Sequence, residues 1–69
     1  MKRKAVLKKI KDEAKRRGFS YQTVQLSRHE AVIVNGFSRT LKRHNEIDDV
    51  TARAFFDQFA EVFGKGWWR

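Results

Sequence analysis

The chain has 69 residues, 41% hydrophobic and 13% aromatic, a composition that supports one folded domain spanning residues 1–69 and argues against disorder. Its 16 Lys and Arg against 8 Asp and Glu give a net charge of +8; such a field favours polyanions, nucleic acid first, and also suits an acidic protein partner. The lack of cysteine excludes a disulfide framework and thiolate chemistry, and no apolar run approaches the roughly 18 residues of a membrane span. Lys8, Lys9, Lys11, Asp12 and Glu13 interrupt any signal-peptide core behind the basic start, so a cytoplasmic protein with no membrane partner is expected.

Residues 4–17 read as a helix. Leu7, Ile10 and Ala14, with Val6 beside them, form a narrow apolar stripe at helical spacing. Lys8–Asp12, Lys9–Glu13, Asp12–Arg16 and Glu13–Arg17 are possible i,i+4 pairs, and Gly18 suits the position just past the helix end. Lys4, Lys8, Lys11 and Lys15 share one helical stripe, either a solvated face or part of a phosphate track. Residues 19–26 are rich in β-formers, residues 30–34 form a second strand, and Asn35-Gly36 signals a tight type I′ hairpin into a third strand at 37–41. This turn fixes the register. Val34 faces Phe37, Val32 faces Arg39 and Glu30 faces Leu41 on the core side, while His29, Thr40 and Lys42 share the open side.

Asp48 or Asp49 can cap a second helix over residues 49–63, whose Ala52, Phe55, Phe56, Phe59, Val62 and Phe63 carry most of the core mass. Residues 64–69 form a short tail; at least one of Trp67 and Trp68 is expected to fold back over the core, the other option being base stacking. The resulting fold class is α+β, ordered α-β-β-β-α, with a three-stranded antiparallel sheet and both helices on one face.

Chemistry centres on histidine. Two histidines without cysteine make a poor metal set, no glycine-rich phosphate loop is present, and no cofactor is expected. Unperturbed imidazole exchanges protons near neutral pH. His29 could therefore take the proton of a ribose 2′-OH while Arg28, Lys42 or Arg43 stabilises charge at phosphorus; the alternative is a surface residue that closes a turn. His44 is open to the same two readings, as a loop residue or a phosphate contact. Arg28, Arg39, Lys42, Arg43, His44, Lys8, Lys11 and Lys15 are the candidate nucleic-acid contacts, and His29 is the candidate catalytic residue.

The order helix, strand, Ser-x-His strand, hairpin and then Leu41-Lys42-Arg43-His44-Asn45-Glu46-Ile47-Asp48-Asp49-Val50-Thr51-Ala52-Arg53 resembles the HicA toxins over residues 6–63. These are small bacterial and phage-borne mRNA interferases with a fold like the double-stranded RNA-binding domain. The family's Gly-Ser-His corresponds to Ser27-Arg28-His29, and its proline before Arg-His corresponds to Lys42. The resemblance implies a toxin of a toxin–antitoxin system that cleaves mRNA with His29 as general base and is neutralised by a cognate antitoxin. Two other functions fit the residues: a non-catalytic RNA- or DNA-binding module, and a small phage or bacterial protein that docks on an acidic host partner through Trp67 and Trp68.

Overall fold

The computed structural model describes all residues, 1–69. Helix α1 (Arg3–Arg16) leads into strands β1 (Tyr21–Gln25), β2 (His29–Val34) and β3 (Phe37–Lys42), followed by helices α2 (Asp49–Gln58) and α3 (Ala60–Phe63). The strands form one antiparallel sheet in the order β1-β2-β3, with β2 in the centre. The fold is α+β with the expected α-β-β-β-α order.

The register is the one the turn dictates: His29 opposite Lys42, Ala31 opposite Thr40 and Val34 opposite Phe37. Asn35 and Gly36 both take positive φ, 53° and 85°, as a type I′ turn requires. Val32, Val34 and Leu41 point from one sheet face into a core completed by Val6, Ile10 and Ala14 of α1 and by Ala52, Phe55, Phe56, Phe59 and Phe63. His29, Ala31 and Ile33 alternate with these core residues and so belong to the opposite face, which no helix covers.

Two details differ from the periodicity. The second helix is interrupted at Phe59, whose N–H bonds the Phe56 carbonyl at 3.0 Å, an i to i−3 closure that tightens the chain and ends α2. The kink keeps Phe59 and Phe63 both buried, with Phe59 set edge-on to Phe37 and Phe55 at centroid distances of 5.7 and 5.3 Å. On α1, Lys8–Asp12 forms at 2.6 Å and Glu13–Arg17 at 2.5 Å, but Glu13 also takes Arg16 as a partner. Lys9 instead lies over the Phe56 ring.

The tail packs against the core. Trp67 Nε1 donates to the Phe56 carbonyl and Trp68 Nε1 to Asp57 Oδ1, both at 2.7 Å, and both rings pack on Phe56. Both tryptophans fold back onto Phe56, each remaining partly exposed.

Candidate nucleic-acid interface

His29 opens β2, and its side chain lies on the uncovered sheet face because Glu30 takes the first core position. The Leu26 N–H bonds the His29 carbonyl at 2.9 Å, closing the β1–β2 turn and fixing the backbone that carries the imidazole. Lys42 is its cross-strand partner. A cleft of about 490 Å³ joins this strand end to the 43–48 segment and α2, and His29, Thr40, Lys42, His44, Thr51 and Gln58 supply its polar lining together with Glu46 and Asp48.

The acids in the cleft are already engaged. Asp48 caps α2: its carboxylate accepts from the Thr51 N–H at 3.1 Å and the Thr51 hydroxyl at 2.6 Å. The bonds from the Thr51 hydroxyl and N–H hold the Asp48 carboxyl below its ordinary value. Glu46 meets Lys2 Nζ at 3.2 Å. The cations behave in the opposite way. Ion pairs within the chain engage Met1, Lys2, Arg3, Lys8, Arg16 and Arg17, which leaves Lys42, Arg43 and Arg28 without an internal partner. Lys42 is thus the one unpaired cation that lines the cleft, beside Glu46, which Lys2 offsets, and Asp48, whose carboxylate Thr51 holds at the helix cap.

The chain beneath His29 is held by a buried ion pair that the sequence reading missed. Glu30 is 4% exposed, and its carboxylate accepts from Arg3 Nη2 and from Gln25 Nε2, the latter at 2.6 Å. Burial pushes the Glu30 carboxyl up, but the hydrogen bond and charge of Arg3, with the other donors, bring it below its ordinary value. Arg3 Nε also donates to the Lys42 carbonyl at 3.3 Å. One guanidinium thus ties the start of α1 to both strands that carry His29 and Lys42. The only hint in the sequence is an acid at a core-facing strand position, which requires a buried partner.

The other candidates are dispersed. Arg28 and Arg43 are exposed beside the cleft-lining residues in sequence, without lining the cleft themselves. Arg39 projects to the face opposite His29, where its guanidinium sits 4.1 Å over the Phe37 ring and donates to the Ser38 carbonyl. Lys8, Lys11 and Lys15 line a separate groove between α1 and β1 that shares no lining residue with the His29 cleft. Thr51 and Gln58 are cleft residues that periodicity did not single out, whereas the hairpin register had already set Thr40 beside His29 and Lys42. No three His, Cys, Asp or Glu side chains converge in a way that could hold a metal ion, and no helix is long and apolar enough to cross a membrane.

Comparison with family models, curated proteins and solved structures yields no match for the chain.

Proposed function

We propose that the chain is a HicA-like cytoplasmic toxin that binds mRNA in the His29 cleft and cleaves it, under control of a cognate antitoxin. The observation that carries this reading is the cross-strand pair of His29 and Lys42 in a cleft shared with His44, where Lys42 has no acidic partner within the chain.

The neutral His29 imidazole removes the proton from a ribose 2′-OH, and the freed oxygen attacks the adjacent phosphorus. The Lys42 ammonium, supported by Arg28 or Arg43 along the strand ends, stabilises charge on the phosphoryl oxygens as the bond to the 5′ oxygen breaks. The departing oxygen takes a proton from water. The products are a 2′,3′-cyclic phosphate and a free 5′-hydroxyl. A 2′-OH nucleophile restricts the reaction to RNA. One imidazole contributes about 10²–10⁴-fold, which suits a slow nuclease whose target is abundant and whose effect accumulates.

The test is expression of wild type and His29→Ala in bacteria, with growth and RNA integrity followed together. Growth arrest and RNA decay with wild type alone support the reading. Equal arrest by both forms, or intact RNA with both, rejects His29 as the catalytic base. Salt-sensitive RNA binding that survives His29→Ala without any cleavage identifies a binding module instead.

A further inference from the structure

The groove along α1 and β1 lies at the opposite sheet edge from β3, and the His29 chemistry makes no use of it. It measures about 820 Å³ and is walled by Lys4, Lys8, Lys11 and Lys15 on the helix and by Tyr21 and Thr23 on the strand. Lys8 is paired with Asp12, but Lys4, Lys11 and Lys15 have no acidic partner in the chain. The strand beside them is an open edge. The Leu26 N–H to His29 carbonyl bond and the Asn35 N–H to Ser20 carbonyl bond set the phase of the β1–β2 ladder. In that phase Gln22 and Val24 exchange bonds with β2, so Tyr21, Thr23 and Gln25 direct their N–H and C=O groups outward.

Such an edge normally carries a lysine, a proline or a bulge that prevents pairing. Tyr21-Gln22-Thr23-Val24-Gln25 has none of these, and Gln22 to Gln25 are all exposed. We infer that this edge and the lysine row together take an extended acidic segment of a protein partner, which adds to β1 as a fourth, antiparallel strand. The two spacings agree. Alternate side chains of a strand recur every ~6.8 Å, and lysines four apart on a helix recur every ~6 Å. In antiparallel pairing, residues opposite Tyr21 and Thr23 project to the groove side, so acids at every second position of the partner face Lys11 and Lys15. A second copy of the chain does not fit, because edge-to-edge pairing brings two lysine rows of a +8 protein together. Nucleic acid can use the lysines and single edge N–H groups, but its phosphates only accept and do not match the alternating donors and acceptors of the strand edge.

The experiment uses the full chain and a synthetic peptide of about ten residues alternating Thr and Glu. Binding is expected to slow amide exchange at Tyr21, Thr23 and Gln25 by at least about tenfold, and N-methylation of the Glu residues, whose N–H groups face β1, is expected to weaken it by at least about tenfold. N-methylation of the Thr residues, which face outward, leaves affinity within about threefold, and Lys11→Glu with Lys15→Glu weakens the parent peptide by at least about tenfold. The inference is overturned if the Glu-methylated peptide binds as well as its parent, or if no binding occurs at about millimolar peptide. It is equally overturned if a single-stranded RNA oligomer of the same charge protects the same three amides and displaces the peptide.

Discussion

At the scale of single residues, His29 and Glu30 are neighbours with opposite tasks. Strand alternation sends the imidazole to the uncovered face and the carboxylate into the core. Glu30 is tolerated there because Arg3 and Gln25 satisfy it, and removal of one partner leaves a buried charge uncompensated. Arg3→Met is therefore expected to lower unfolding free energy by about 3 kcal/mol, measured by urea denaturation. The double substitution Arg3→Met with Glu30→Leu should recover most of that loss, since an apolar pair can replace a buried ion pair. A double variant as unstable as Arg3→Met alone would show that the loss comes from packing rather than from the stranded carboxylate. His29 itself was visible in the sequence because the Asn35-Gly36 turn fixes its register. Glu30 was placed on the correct face, but its partner lies across the fold on α1, and no local pattern encodes a contact of that range.

At the scale of elements, the hairpin and the capped helix are the parts most fully written in local sequence. Gly36 at φ 85° follows from its residue type, and the structure selects Asp48, with its carboxylate on Thr51, from the two cap candidates Asp48 and Asp49. Asp48→Ala is expected to cost about 1 kcal/mol by loss of the cap, with the cleft wall at Thr51 loosened as well. The break at Phe59 and the fold-back of both tryptophans were less legible. Each depends on fitting several aromatic rings into one small core, so tertiary packing decides them. Trp67 packs on Phe56 and Phe63 and donates to a main-chain carbonyl, which makes it a structural residue. Trp67→Ala should lower stability by about 2–3 kcal/mol and leave RNA affinity per folded molecule unchanged. A loss of affinity at full folding would restore it to the binding surface.

At the scale of the whole molecule, charge is divided between two edges of one sheet. The β3 edge carries the histidine cleft and the β1 edge carries the lysine row. Composition announced the +8 charge but could not divide it, because the separation arises from strand order and from which cations find partners inside the chain. RNA bound in the His29 cleft should lose affinity linearly in log[salt]; Lys42→Ala should reduce the slope by about 0.7 if its phosphate contact is made to a single strand. An unchanged slope would remove Lys42 from the interface.

Stability should also depend on pH in a direction set by the carboxylates. Glu13, held down by Arg16 against its own burial, and Glu30, raised by burial but brought down further by Arg3, Thr23 and Gln25 together, both sit below the ordinary 4.5. Each contributes stability that is present above that value and is lost as pH falls through the lowered folded pKa. Tyr21 works at the other end: burial and the Glu30 charge raise it above 10.0, so its contribution is lost as pH rises through that raised value. Thermal denaturation followed from pH 6 to pH 2 should show a falling midpoint below about pH 4.5 that Glu30→Gln flattens.

The central claim concerns His29 as a general base, and purified protein with a defined RNA tests it most directly. Wild type should convert a single-stranded RNA into fragments ending in a 2′,3′-cyclic phosphate, and His29→Ala should cut about 10²–10⁴-fold more slowly while retaining its circular dichroism and RNA affinity. Cleavage by His29→Ala at the wild-type rate, or cleavage of an RNA whose 2′-hydroxyls are methylated, would contradict it.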